Sequence, residues 1–261
     1  MYARCMVKAK REPLAGCYVI SLRPVGAHAP LRRAAAARGA RVLALSPWRI
    51  ETQADAATRR ALQAALAADI VIATSPAAAR AANALQALKR KRGQRWCAVG
   101  AGTAAALRCA GIDAVVSPSR MDSEGLLALE ELRSVRGRSI GLLAAPGGRD
   151  LIAPTLRRRG ARVLRADVYR RVGIALSPAA ISRLRGLRSR PWIAASSGEA
   201  LALVLSRLPA DLAKNLREGD VAAASERLAQ AARAAGFRGR IAVAASARPR
   251  DLVAAMADAI G

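Results

Sequence analysis

The residues of this 261-residue chain that could do chemistry are hydroxyls, glycines and arginines at turns between strand-like and helix-like runs. The turns are Arg23-Pro24, Thr74-Ser75-Pro76, Gly100-Ala101-Gly102-Thr103, Pro146-Gly147-Gly148-Arg149, Ser196-Ser197-Gly198 and Ser225-Glu226-Arg227. The first amides of a helix have no partner within it, so such turns bind anions without any reactive side chain. Ser75 suits a helix N-cap with Pro76 at the first helical position, and capping alone accounts for that pair. Ser196-Ser197 in the equivalent place of a second half favours a shared ligand role. Gly100-Ala101-Gly102-Thr103 lacks the third glycine and the strand-ending acid of a dinucleotide fingerprint, which argues against a nicotinamide site. Its glycines fit either a plain turn or close backbone approach to a carboxylate. Arg149 opposes the dipole of the helix it would open, and a bound anion or Asp150 would relieve it. Ser123 is expected to cap an apolar helical run. Tyr169 ends a strand, and its phenol is the candidate proton or hydrogen-bond donor; the alternative is a half-buried aromatic with its hydroxyl in solvent.

Other chemistries are poorly supplied. His28 is the single histidine, and Cys5, Cys17, Cys97 and Cys109 match no zinc or thioredoxin spacing, so metal centres and Ser-His-Asp triads are not expected. Reduced thiols and a cytoplasmic location are expected instead. Lys and Arg outnumber Asp and Glu 44 to 18, a formal charge of +26. That excess suits a polyanionic ligand or reflects an Arg- and Ala-rich proteome. Seven aromatics among so many basic residues disfavour single-stranded nucleic acid, which stacks its bases on aromatic platforms. The basic cluster Lys89-Arg90-Lys91-Arg92 reads as a solvated helix end. No apolar run is long enough to span a membrane. Leu14-Ala15-Gly16-Cys17 looks like a lipoprotein cleavage site, but Lys8-Ala9-Lys10-Arg11-Glu12-Pro13 precedes it where an apolar stretch is required. Residues 1–17 are therefore expected to be a basic tail.

The elements that position the turns occur twice. Arg38-Gly39-Ala40-Arg41-Val42-Leu43 recurs from position 159 as Arg159-Gly160-Ala161-Arg162-Val163-Leu164, and Ile70-Val71-Ile72-Ala73-Thr74-Ser75 aligns with Trp192-Ile193-Ala194-Ala195-Ser196-Ser197. Strand-like runs are expected at 18–22, 41–45, 69–73, 96–99 and 114–116, then at 139–144, 162–168, 191–195, 220–224 and 240–244. Ala-, Leu- and Arg-rich helical runs lie between them. Such alternation predicts α/β architecture: two similar domains, each a parallel sheet flanked by helices in a flavodoxin-like manner, joined by a two-stranded connection with a cleft between them.

Taken in order, Arg23-Pro24, Thr74-Ser75-Pro76, Val99-Gly100 with Thr103, Leu107 and Gly111, Ser123-Glu124-Gly125-Leu126-Leu127, Arg159-Gly160-Ala161 and Val168-Tyr169-Arg170 resemble the motifs of uroporphyrinogen-III synthases over residues 18–260. The resemblance implies two chain crossings. Residues 18–47 would join 172–261 in one domain, 50–170 would form the other, and 48–49 and 171 would connect them. It implies an enzyme, a hydro-lyase of haem biosynthesis that cyclises hydroxymethylbilane to uroporphyrinogen III. Loss of the hydroxyl gives an azafulvene, the terminal pyrrole attacks to give a spiro intermediate, and ring D is inverted on reclosure. No cofactor or metal is implied, and the partner is a small polycarboxylate bound by a monomer, without membrane or nucleic acid. Tyr169 matches the family tyrosine that is the best candidate for assisting hydroxyl departure. Thr103, Ser75 and Ser197 match polar loop positions, and Arg23, Thr74, Gly100, Ser123, Arg149, Ser196 and Ser225 complete the expected substrate-binding set. Departures are Ser21-Leu22 before Arg23, Ala73 before Thr74, and Leu228 after Ser225-Glu226-Arg227. The rival reading is a non-catalytic two-lobed binding protein for an anionic small molecule.

Overall fold

Short β-branched and apolar runs become parallel strands, and the Ala- and Leu-rich runs between them become helices. The computed structural model describes residues 13–147 and 151–260. The first half of the chain contains β1 (Tyr18–Ser21), α1 (Ala29–Ala36), β2 (Arg41–Ala44), β3 (Trp48–Thr52), α2 (Ala56–Leu66), β4 (Ile70–Ala73), α3 (Pro76–Leu85), β5 (Arg95–Ala98), α4 (Ala101–Cys109), β6 (Val115–Val116) and α5 (Ser123–Leu127). The second contains β7 (Ser139–Ala144), α6 (Ile152–Arg158), β8 (Arg162–Asp167), β9 (Tyr169–Gly173), α7 (Pro178–Arg185), β10 (Trp192–Ala195), α8 (Gly198–Arg207), α9 (Ala210–Arg217), β11 (Asp220–Ala223), α10 (Glu226–Ala234), β12 (Ile241–Val243) and α11 (Pro249–Asp258).

The chain divides into two units, residues 1–49 with 173–261, and residues 50–172. The first holds a sheet of order β12-β11-β10-β1-β2 and the second a sheet of order β6-β5-β4-β7-β8. Every pairing recorded within both sheets is parallel. The two orders coincide when β10, β11 and β12 replace β4, β5 and β6, and β1 and β2 replace β7 and β8. Each sheet thus takes two strands from one half of the duplicated sequence and three from the other. Arg38–Leu43 and Arg159–Leu164 lead into β2 and β8, the matching edges, while Ile70–Ser75 and Trp192–Ser197 carry the central strands β4 and β10. β3 and β9 form a two-stranded sheet of their own, in which Arg170 Nη2 donates to Glu51 Oε2 at 3.0 Å.

In the 50–172 unit, strand alternation sorts side chains between two faces. Along β4, Val71 and Ala73 pack with Trp96 and Leu107, whereas Ile70 and Ile72 pack with Leu126, Leu142 and Leu156. Both faces are covered by helices, which is why β4 is apolar throughout. Gly141 in β7 lies directly against the Ala65 carbonyl at the end of α2, where a Cβ would not fit. Cys97 is buried within the second of these clusters, and burial pushes its thiol up to about 12, far from any nucleophilic role.

Several elements differ from expectation. Residues 1–12 lie outside the described residues, yet Leu14, inside the expected tail, is fully buried, and its N–H donates to the Arg38 carbonyl at 3.0 Å. One apolar residue with a backbone partner is enough to order the segment before β1. α5 is capped by Asp122 rather than Ser123, because the Asp122 carboxylate accepts from the Gly125 N–H at 2.7 Å. The apolar helical run after Ser123 stops at Leu127 and is followed by a 3-10 turn at Glu130–Leu132. α9 is a separate helix that begins just after Pro209. No helix among the described residues is long and apolar enough to cross a membrane.

Candidate functional site

In the 50–172 unit the chain runs outward from β4 to β5 and β6, then returns to place β7 on the opposite side of β4. Neighbouring loops diverge at such a reversal, and open parallel sheets hold ligands beyond the strand carboxyl ends there. A cavity of about 190 Å³ occupies that position. Thr74 and Ser75 line it from the end of β4, Val99 from the end of β5, Pro146 and Gly147 from the loop after β7, and Ser123 from α5. Arg165, Tyr169 and Arg171 complete its polar wall. All of these residues belong to the one unit.

Local rules place each group. Ser75 is extended with φ −159° and ψ 160°, so its Oγ can turn back and accept from the Ala78 N–H at 3.0 Å. Thr74 Oγ1 donates to the Leu143 carbonyl at 3.1 Å, which ties the turn after β4 to the end of β7. Tyr169 is buried, with 4% of its surface exposed, and its ring packs against the apolar side of the sheet. Its hydroxyl lies 3.1 Å from Ser75 Oγ. Ser75 Oγ already accepts from Ala78, so its own proton can go to the phenol oxygen, which leaves the phenol proton to be donated into the cavity. Capping and positioning of Tyr169 are thus done by one side chain.

Arg165 Nε lies 3.0 Å from Asp167 Oδ1, and its Nη2 donates to the Ala145 carbonyl at 3.0 Å. The guanidinium is fixed on the cavity wall before any ligand arrives. Sequence reasoning misses both Arg165 and Arg171. The signal available is closeness in sequence: Arg165 and Arg171 flank Tyr169 across the β8–β9 junction, and all three line the same cavity.

Gly100 and Thr103 sit at the next turn without lining this cavity. Gly100 caps α4 with no side-chain hydrogen bond, and it is packed so tightly against Met121 that a Cβ would lie 2.9 Å from the Met121 Cβ. Close packing by a neighbouring side chain therefore accounts for a small residue here. Thr103 is buried in the first turn of α4. Arg149 lies outside the described residues.

The other unit repeats the arrangement. Arg23, Ser196 with Ser197, and Ser225 follow β1, β10 and β11, three adjacent strands. Ser197 Oγ accepts from the Ala200 N–H at 3.3 Å and caps α8 as Ser75 caps α3, whereas Ser225 makes no side-chain cap. Arg23 Nη2 donates to the Ala247 carbonyl at 3.1 Å. Burial lowers the Arg23 guanidinium from its ordinary value, so an anion beside it would offset part of the desolvation. His28 shares this end of the sheet, with Nδ1 2.8 Å from Ser21 Oγ and Nε2 2.8 Å from Ser46 Oγ. Burial, then the charges of Arg32 and Arg23, lower it to about 4, which keeps the ring neutral at pH 7. No group of His, Cys, Asp and Glu among the described residues could hold a metal ion.

The family model described as uroporphyrinogen-III synthase HemD matches residues 29–254. The chain belongs to the uroporphyrinogen-III synthase family. It is similar to the uroporphyrinogen-III synthase of Escherichia coli (strain K12), with 34% identity over 143 residues, 54% of this chain and 58% of that protein. It is also similar to the Salmonella typhimurium protein of the same name, with 33% identity over 55% of this chain and 59% of the relative. The chain thus spans somewhat over half the length of the curated synthases it matches. Two solved synthases share the fold. A mutant of the Thermus thermophilus protein gives a TM-score of 0.58 at 21% identity, over 94% of this chain and 98% of its own. The Helicobacter pylori 26695 protein gives 0.59 at 13% identity over the same shares.

Proposed function

We propose that this protein is a uroporphyrinogen-III synthase that converts hydroxymethylbilane to uroporphyrinogen III with release of water, as a monomer in the cytoplasm. The observation that carries the reading is the Tyr169 hydroxyl, 3.1 Å from Ser75 Oγ, on the wall of a polar cavity at the β4–β7 reversal, in a chain of this family.

The phenol gives its proton to the substrate hydroxyl as its C–O bond breaks. The departing oxygen leaves as water, and the pyrrole nitrogen lone pair fills the vacancy to give the azafulvene. Attack by the substituted carbon of the terminal ring closes the spiro intermediate. Its fragmentation and reclosure at the free carbon of that ring invert ring D, and the proton lost on rearomatisation balances the one that left with the hydroxyl. The pyrroles supply every electron pair, so the residues required are those that hold a folded polycarboxylate and place one donor.

Ser75, Thr74, Ser123, Arg165 and Arg171 bind and orient the substrate around Tyr169. Gly100, Thr103 and Arg149 complete the substrate-binding set that the family resemblance implies. Arg23, Ser196, Ser197 and Ser225 are the corresponding binding residues of the other unit. A guanidinium 4 Å from a carboxylate gains about 4 kcal/mol at an effective dielectric of 20, before desolvation is subtracted. Several such contacts are enough to select one conformation of a flexible chain.

The test is to supply purified protein with hydroxymethylbilane and to separate the isomers formed. The type III isomer supports the reading. A product identical to the type I isomer formed without protein excludes it.

A further inference from the structure

We infer that the groove between α7 and α9 is a second binding site, one for a small amphipathic anion: an apolar ring or chain carrying an acid group. The groove has a volume of about 560 Å³, within the range of roughly 300–1,000 Å³ typical of small-molecule sites. Its lining is mixed: Leu184 and Leu187 on one side and Leu212 and Leu216 on the other supply the apolar part, beside Ser189, Asn215 and the charged residues at its border; Leu187 is half-buried and the other three leucines are buried.

Charge complementarity decides the class of ligand. Three arginines, Arg185, Arg188 and Arg190, border the groove together with two acids, Asp211 and Glu218. Both acids are already answered. Arg185 Nη2 lies 3.5 Å from Asp211 Oδ2, and Arg238 Nη1 lies 3.6 Å from Glu218 Oε1. Arg188 and Arg190 are exposed and have no ion-pair partner among the described residues. They border the same groove as these leucines, and a ligand with an apolar body and an acidic end suits both features at once.

The position separates this groove from the loops assigned above. Arg188 and Arg190 immediately precede β10, and α9 ends just before β11, so the groove lies at the strand amino ends. Arg23, Ser196, Ser197 and Ser225 follow the carboxyl ends of the same sheet. Strands of four residues place roughly 13 Å between the two ends. A ligand in the groove therefore adds a contact that the proposed reaction does not use.

The experiment titrates the full-length protein with anilinonaphthalene sulfonate, which joins aromatic rings to one acid group, and in parallel with phenylnaphthylamine, which has similar rings and no acid. Fluorescence enhancement reports binding. Arg188→Gln combined with Arg190→Gln is expected to raise the sulfonate Kd about tenfold, equivalent to about 1.4 kcal/mol, and to change the Kd of the neutral amine less than twofold. Asn215→Trp, which places an indole in the groove, is expected to abolish binding of both dyes. Thermal melts check that each variant is folded, and the two arginines are exposed enough that their replacement leaves the fold intact. An unchanged sulfonate Kd in the double arginine variant overturns the inference. So does an equal loss of both dyes in that variant, or full binding of both to folded Asn215→Trp protein.

Discussion

Lowering the pH should destabilise the 1–49 and 173–261 unit through one side chain, His28. The imidazole is buried, held between Ser21 and Ser46 at 2.8 Å on each side, and stands at about 4 instead of 6.5 because of burial and the nearby Arg32 and Arg23. In the unfolded chain the ring gains a proton near pH 6.5, while in the folded protein it resists until about pH 4. The unfolded state therefore binds more protons throughout that window. Above pH 6.5 the ring is neutral in both states and contributes no pH dependence. Stability then falls as pH drops from 6.5 to about 4, by about 1.4 kcal/mol per pH unit and about 3 kcal/mol in total. In the 50–172 unit, Asp69 is held below the usual carboxylate range by the Ser139 backbone and hydroxyl hydrogen bonds, which gives that unit a loss of its own at lower pH. The control is His28→Asn, which keeps hydrogen-bonding capacity near the serines but cannot titrate. Urea unfolding at pH 7.5 and at pH 4.5 should show the wild type losing about 2–3 kcal/mol more than the variant between the two conditions. An equal loss in both proteins would refute a neutral, buried His28.

Tyr169→Phe should slow turnover about 10²-fold or more while costing only about 1 kcal/mol of stability, because the ring packing is kept and Ser75 retains the Ala78 N–H; rate measurements beside thermal melts check both. Ser75→Ala removes the cap of α3 as well as the partner of Tyr169, so it should cost about 1 kcal/mol in stability, measured by urea denaturation. Arg165→Gln should raise the KM for hydroxymethylbilane about tenfold, with a smaller change in kcat, and steady-state kinetics over a range of substrate concentrations separates the two. Gly141→Ala should destabilise the 50–172 unit by about 1–3 kcal/mol, since the added Cβ meets the Ala65 carbonyl; an unchanged melting temperature would show that α2 moves aside freely.

Much of the fold could be read from residues because the local signals agree with one another. Alternating apolar runs and Ala-rich helices fix the α/β class, and Ser75 and Ser197 carry cap chemistry that the structure realises at both positions. The repeat pairs β2 with β8 and β4 with β10, the same pairs that occupy matching places in the two sheets. Legibility ended where choices depend on neighbours distant in sequence. Asp122 and Ser123 are both good caps, and the extended backbone of Asp122, with φ −140° and ψ −178°, makes it the one whose carboxylate accepts from the Gly125 N–H. Leu14 looks like part of a basic tail until Arg38 provides its backbone partner. Arg165 resembles any strand arginine until Asp167 and the Ala145 carbonyl turn it onto the cavity wall. Gly100 suggests ligand approach, but Met121 fills the space beside it.

On the proposed function, the cavity at the β4–β7 reversal governs how the terminal pyrrole is joined. The most direct test is the isomer ratio of the product made from hydroxymethylbilane by the wild-type protein and by Tyr169→Phe at equal substrate consumption. The wild type should yield type III, and the variant should shift toward the type I product of the uncatalysed reaction. Type I from the wild type, at the ratio seen without protein, would contradict the account.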